Sequence, residues 1–338
     1  MTKLLFVVNV DWFFISHRLP IALSAMEKGY EVHGFMRRSA TGNTVNIDHI
    51  LDDIEIQRGD LADPTSLYRV ISRVKPDEVY NEADQDHVSW SYDSVGYSYD
   101  ITGAAVGRLL EIIRQLNPRI RYFQPVTSNM FGISDEKTQN EETPFRPQSP
   151  YGAAKVMAFV CCQYYRDVFG MYASTGIFYN HESPRRTDAY VTRKITKAVA
   201  RISKGLQDKL CLGNLETKID FGYAKEYMVA AHQIMQLDEP DDFILSTGEV
   251  HSIQEFLDEA FSIVGLDPKD HVEFDPRFAR PGNTSVLIGD HSKAREAFGF
   301  EPKVRMKELV KIMVDHDLAE LEKNHQENVE SRCSRTRG

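Results

Sequence analysis

The chain has 338 residues, 42% apolar and 27% charged, with a formal net charge of -10; this is enough for one large α/β unit and a smaller lobe, and the charge excludes general binding to nucleic acid or to an anionic membrane. No apolar run reaches the ~18 residues that span a bilayer, and no small-residue cleavage site follows the short apolar stretch at residues 4–8. Cys161, Cys162, Cys211 and Cys333 lack metal-ligand spacing, so no metal is expected, and free thiols predict a reducing, cytoplasmic setting.

Taken in chain order, short apolar runs alternate with amphipathic ones. Residues 4–9 read as a strand. The stretch "LLFVVNVDWFFISHRLPIA" then turns through Asn9, Val10, Asp11 and Trp12 toward a helix over 19–28. Such turns usually carry glycine, so that backbone N–H groups can approach a phosphate; this one has none. Further strands are predicted at 31–35, 54–58, 78–81, 121–126 and 173–179, and helices at 66–74, 104–115 and 151–169. Strands separated by helices of this length predict βαβ units, hence an α/β fold with a doubly wound, Rossmann-like parallel sheet over 1–179. "GDLADPTS" puts Asp60 just beyond a strand, on the side where such a sheet binds ligands. Past Asn180 the alternation loosens. Helices at 191–204, 252–264 and 306–323 and the turn "DPRFARPGN" predict a smaller substrate-binding lobe over 180–325, with some segments returning to the first domain. Residues 326–338, ending in "SRCSRTRG", read as a disordered tail.

"SPYGAAK" holds Tyr151 and Lys155 at i and i+4, on one side of a helix. An ammonium near a phenol favours the phenolate. Such a tyrosine can take a proton from a sugar hydroxyl while a hydride leaves the same carbon. Upstream, "PVTSNMFG" ends a strand with Thr127 and Ser128, where a hydroxyl could orient the substrate oxygen. A bare Tyr-x-x-x-Lys is most often a solvated helix face; the strand-end Thr-Ser and the Ser-Pro entering the helix give this one its weight.

With these residues the sequence, from about Gly29 to Lys323, resembles the extended short-chain dehydrogenase/reductases and, more narrowly, the GDP-mannose 4,6-dehydratase family. The stretches that carry the resemblance are "GYEVHGFMRRS", "VKPDEVYN", "SPYGAAK", "YNHESPRR", "VTRKIT", "LGN" and "DPRFARP". It implies NADP as cofactor, GDP-mannose as substrate and a homodimer or homotetramer. It also implies a reaction. C4 is oxidised by hydride transfer to NADP, water is lost across C5 and C6, and the hydride returns to C6 to give GDP-4-keto-6-deoxymannose. Carried over by position, Tyr151 is the base at the C4 hydroxyl, Lys155 depresses its pKa and holds the ribose, and Thr127 binds the C4 oxygen. Arg37 and Arg38 would take a 2′-phosphate, a group suited to a guanidinium fork. Asp60 and Leu61 would sit by the adenine, and Gln85, Tyr97, His181 and Arg186 are further cofactor contacts. Asn180, Lys194, Asn214, Arg277 and Arg280 would hold the nucleotide sugar.

The chain departs from that family pattern in five places. The glycine-rich turn is missing, and "FVVNVDWFFISHRLPIA" instead resembles the N-terminus of certain family 4 glycosyltransferases over roughly the first thirty residues. Trp12, Phe13 and Phe14 would crowd a pyrophosphate, Ser16, His17 and Arg18 could replace some lost contacts, and burial favours packing residues 12–15 into the core. "NEADQDHV" puts Glu82, Asp84 and Asp86 where the family has an apolar residue, alanine and serine. These carboxylates would oppose a pyrophosphate, coordinate a cation or face solvent on a shifted loop. Ala105 and Val106 stand for Gly-Thr, and Ile219 for arginine beside Lys218. Asn129 replaces the glutamate that removes the C5 proton; an amide cannot take that proton at neutral pH. Three readings follow: a 4,6-dehydratase-like lyase, an epimerase or 4-keto reductase that never needs the C5 base, and a degenerate member with impaired cofactor binding and turnover.

Overall fold

The computed structural model of the chain describes residues 2–8, 29–37, 51–275 and 286–335. The glycine-less turn, Ser16, His17, Arg18, the expected helix at 19–28, Arg38, Arg277 and Arg280 lie outside the described residues. Strand β1 (Lys3–Val8) is apolar at every position after its first, and Leu4 to Val8 are all buried. Side chains alternate between the faces of a strand. Leu5 and Val7 therefore enter one core and Leu4, Phe6 and Val8 the other. A strand buried on both faces belongs inside a parallel sheet. Accordingly β1 pairs in parallel with β2 (Glu31–Met36) on one side and with β4 (Glu78–Asn81) on the other.

With β3 (Glu55–Arg58), β5 (Arg121–Thr127), β6 (Ala173–Phe178) and β11 (Asp242–Leu245), the sheet runs β11-β6-β5-β4-β1-β2-β3, and every pair in it is parallel. Its order reverses between β1 and β4, so the carboxyl ends of these two strands form the switch point where a doubly wound sheet takes its ligand. One face is covered by α1 (Pro64–Val74), α4 (Ala105–Leu116) and α5 (Pro150–Phe169), through residues such as Ile71, Leu109 and Phe159. The other is covered by α7 (Ala224–Met235), whose Tyr227, Ile234 and Met235 meet Phe6, Tyr80 and Phe123, with α9 (Ser292–Phe298) alongside. Two short helices, α2 (Val88–Asp93) and α3 (Val95–Ser98), and a π-helical turn (Tyr99–Ala104) lead into α4.

The smaller lobe has its own core. Val199 of α6 (Val191–Ser203), Phe256 and Phe261 of α8 (Ile253–Ile263) and Leu309 and Met313 of α10 (Met306–Arg335) pack together. Three strand pairs complete it: β7 (His181–Glu182) with β10 (Gly222–Tyr223), β9 (Lys218–Ile219) with β12 (His251–Ser252), and β8 (Leu210–Leu212) with β13 (Val272–Phe274). Ile219 packs against the lobe core. The last helix continues past residue 323 to Arg335, so 326–335 are helical where composition predicts a structureless tail. The chain returns to the sheet after 180, since β11 adds to its edge beside β6 and α7 covers its face.

Candidate active site

Thr127 ends β5, and its backbone is still extended as it caps the 3₁₀ turn Ser128–Met130. Its Oγ1 accepts from the Asn129 backbone N–H (3.3 Å) and from Asn129 Nδ2 (3.0 Å). Tyr151 and Lys155 lie in the first turns of α5. Ser149 caps that helix by accepting from the Gly152 N–H (3.0 Å), and Pro150 occupies the first position, where no N–H is needed. Gly152 lets this helix start approach the 3₁₀ turn, because a Cβ there would lie 2.8 Å from the Asn129 carbonyl oxygen. The sequence Ser-Pro-Tyr-Gly thus docks the Tyr151 turn onto the end of β5.

Lys155 is buried, and its Nζ donates to the Pro125 carbonyl (2.8 Å) and pairs with Asp84 Oδ2 (2.6 Å). It lies 5.8 Å from the Tyr151 ring centroid. Tyr151 is pushed well above the usual phenol range by burial, then by the charges of Asp84 and Asp86 and by Tyr190, with Arg186 opposing. At the end of β4, Asn81 Nδ2 donates to Tyr122 Oη (3.0 Å) and Gln124 Oε1 (2.8 Å), which ties β4 to β5.

The three carboxylates do not face solvent on a shifted loop. The Glu82 N–H donates to the Val7 carbonyl, which binds the loop to the end of β1, and the Glu82 side chain is buried. Asp84 is the partner of Lys155, and Asp86 accepts from Tyr190 Oη (3.0 Å). Around them His87 stacks on Trp90 and leans on Tyr190, and the Arg186 guanidinium lies 3.5 Å over the Tyr190 ring. The partners of Asp84 and Asp86, and the part played by Tyr190, were not foreseen from the sequence. The only signal was the unexpected charge in "NEADQDHV", and its partners are 104 residues away for Asp86 and on a different helix for Asp84.

The remaining expected contacts fall into three groups. Near the switch point, Gln85 is buried, with its N–H on Thr102 Oγ1 (3.0 Å) of the π-helical turn. Asp60 follows β3 and binds its own loop through the Ala62 N–H, and Leu61 is buried beside it. Arg37, at the end of β2, reaches Tyr97 Oη (3.5 Å), so these two do come together. Arg108, which sequence reading did not single out, ties the π-helical turn to this region by bonding Asp100 (2.7 Å) and the Leu61 carbonyl (3.1 Å). Farther off, His181 stacks on Tyr227 (5.1 Å) with Nδ1 at the Tyr179 carbonyl oxygen, and Arg186 pairs with Glu182 (3.6 Å). In the lobe, Lys194 donates to the Cys211 carbonyl (2.8 Å), and burial lowers its pKa; Asn180 and Asn214 are exposed. Ala105 and Val106 are core residues.

A parallel sheet of this order, with a Tyr-x-x-x-Lys helix docked at the end of β5, is the architecture of the extended short-chain dehydrogenase/reductases. The sequence profile of "GDP-mannose 4,6 dehydratase" matches residues 21–313, and the chain belongs to that family. It is 47% identical over 305 residues to GDP-mannose 4,6 dehydratase 1 of Arabidopsis thaliana, covering 87% of this chain and 84% of that protein. It is 39% identical over 320 residues to the human GDP-mannose 4,6 dehydratase, covering 87% and 86%. Among solved structures, the UDP-glucose 4-epimerase of Thermotoga maritima aligns with a TM-score of 0.81 at 21% identity over 95% of this chain and all of that one. The dTDP-glucose 4,6-dehydratase of Bacillus anthracis, in complex with NAD, aligns at 0.78 and 18% over 93% and 96%. The expectation of NADP is overturned by these structures. NAD is the dinucleotide in the Bacillus enzyme and in the epimerases of Thermus thermophilus and Brucella ovis, against an NADPH complex of the Pseudomonas aeruginosa protein RMD. The 2′-phosphate role of Arg37 and Arg38 falls with it.

Proposed function

We propose that the chain is a lyase that converts GDP-mannose to GDP-4-keto-6-deoxymannose. The observation that carries this reading is the 47% identity across 87% of the chain to a GDP-mannose 4,6 dehydratase, joined to Thr127, Tyr151 and Lys155 at one strand end. The donor set at the switch point suits a nicotinamide dinucleotide: the Lys155 ammonium for a ribose, Asp60 beyond β3, and the Arg37–Tyr97 pair beyond β2. Gln85, His181 and Arg186 complete that set. A bound dinucleotide would supply the hydride acceptor for C4 and the hydride donor for C6. Thr127 holds the C4 oxygen, and its Oγ1, already accepting twice from Asn129, has its own proton to donate. The ionised fraction of Tyr151, largest in alkaline solution, takes the O4 proton as C4 is oxidised. Loss of water passes the C5 proton to solvent water, because the Asn129 amide cannot accept it, and the C6 hydroxyl leaves as water with a proton from solvent, so elimination limits the rate.

Asn180, Lys194, Asn214, Arg277 and Arg280 are the residues we assign to the nucleotide sugar. Met157, Val160, Tyr164 and Val168, exposed along one face of α5, support a homodimer or homotetramer joined through that helix. The thiols of Cys161, Cys162 and Cys211 are free, which supports a cytoplasmic setting. No helix among the described residues is long and apolar enough to cross a membrane. The first twenty residues precede the family match. We read roughly the first thirty residues as an exchanged first βα unit of glycosyltransferase type, a reading supported by their sequence alone.

Single-turnover mass spectrometry with GDP-mannose and NAD tests the reaction. The expected result is a product lighter by one water, formed more slowly than the roughly 1 s⁻¹ of an ordinary enzyme. No product, with the substrate recovered, overturns it. A second reading is favoured by the Thr127 hydroxyl and the un-ionised Tyr151, which present two donors suited to a carbonyl oxygen: a 4-keto reductase or epimerase. Consumption of the 4-keto sugar nucleotide with NADH, without reaction of GDP-mannose, would select it.

A further inference from the structure

Asp84 is in direct contact with the Tyr151–Lys155 helix turn through Lys155. Its Oδ2 lies 2.6 Å from Lys155 Nζ, and the two side chains are only 7% and 4% exposed. The ammonium is anchored on its other side by the Pro125 carbonyl at 2.8 Å, so it cannot swing away from the pair without losing a second bond. Left alone, a buried ammonium 5.8 Å from the Tyr151 ring centroid would favour the phenolate. A carboxylate touching that ammonium, in a place shut off from water, cancels its field over such a distance, and its own charge opposes a second anion.

We propose that Asp84 is a positioning residue, the internal counter-ion of Lys155, and that it keeps Tyr151 a neutral proton donor at neutral pH and a base only in alkaline solution. This rests on the reading of Tyr151 as the acid–base group of the reaction. The other charged or titratable groups toward Tyr151 are Asp86 from the same loop, hydrogen-bonded to Tyr190 (3.0 Å), and Tyr190 itself, ahead of α6. His87 leans on Tyr190, and Arg186 is the cation on that side, shared with Glu182 at 3.6 Å. Asp86 and Tyr190 act in the same direction as Asp84, and Arg186 against it. Asp84 is distinguished from them by its contact with Lys155.

The test compares the natural protein with Asp84→Ala and with Asp84→Asn, which keeps the shape and a hydrogen bond if the alanine variant folds poorly. Tyrosinate absorbance is recorded against pH without ligand, and the spectrum of the matching protein that also carries Tyr151→Phe is subtracted to isolate Tyr151. Both variants are expected to ionise Tyr151 at least about one pH unit lower than the natural protein. Where GDP-mannose is turned over, the rising limb of the pH–rate profile is expected to move by the same amount. A Tyr151 signal that starts at the same pH in all three proteins, or that stays absent in both variants up to alkaline unfolding, overturns the proposal, even if Asp84 proves important for thermal stability. The absorbance measurement needs no turnover. If GDP-mannose is left unreacted while the Tyr151 signal shifts, the reading of the reaction fails and the role of Asp84 stands.

Discussion

Thr127 and Asn129 form one hydrogen-bonded corner, and the chemistry of the site turns on which of them donates. With an amide at 129, Thr127 Oγ1 is an acceptor twice over, and the amide cannot collect a proton. Asn129→Glu is expected to raise dehydration of GDP-mannose by about 10²–10⁴-fold, the usual worth of a positioned general base. Product mass measured over a time course on both proteins checks it. An unchanged rate would mean that another group removes the C5 proton. At this scale the sequence was informative wherever chemistry follows local spacing. Tyr151 and Lys155 share a helix face because they are four residues apart, and Thr127 stands at a strand end because the apolar run stops there. It was uninformative about who pairs with whom over long separations. Asp84 could be recognised as unusual, but its contact with Lys155 depends on β4 and β5 lying side by side, and no local pattern encodes that.

Among the elements, α5 combines two surfaces. Ala154, Ala158, Phe159 and Cys162 face the sheet, while Met157, Val160, Tyr164 and Val168 remain exposed. If the exposed face joins two copies, Val160→Asp places an unpaired charge in the contact. It is expected to weaken association by about 10²-fold or more while leaving the monomer folded, since Val160 does not contribute to the core. Sedimentation at several concentrations decides this; an unchanged oligomer would place the contact elsewhere. The strands and amphipathic helices were legible because their burial is periodic: the strand predicted at 78–81 is β4 as found, and α1, α5 and α6 begin or end within two residues of expectation. Other elements were not, three of them for physical reasons. Helix α7 carries apolar Val229 on its exposed face between Lys225 and Gln233, which blurs the polar side that would mark it. Strand β11 has only four residues. The π-helical turn depends on tertiary contacts, among them Gly103 against Ala154 and Met157 of α5.

For the molecule as a whole, Asp220 is the junction between lobe and sheet. It lies between β9 and β10 and accepts from the N–H and hydroxyl of Thr247 and from the Gly248 N–H, just past β11. Burial pushes its pKa up to about 7, against about 3.9 in an unfolded chain. Between those values the folded protein holds a proton that the unfolded chain has released. Stability from this group is therefore fully present below about pH 4 and falls as pH rises toward 7. Asp220→Asn removes that slope, so its unfolding midpoint in urea is expected to improve relative to the natural protein between pH 5 and pH 8. A constant gap between the two would show that Asp220 does not titrate in this range. The order of the sheet has a further consequence for how the chain is made. Counting outward from β1, one flank reads β2, β3 and the other β4, β5, β6, β11, which on each side is also the order in which the ribosome releases them. No strand ever has to insert between two that are already paired; each newly synthesised one finds a waiting edge. The growing sheet can assemble vectorially, as a layered deposit rather than a rearrangement. Its β6 edge stays open until residue 245 has emerged, and that interval is when a nascent chain most needs protection from its neighbours.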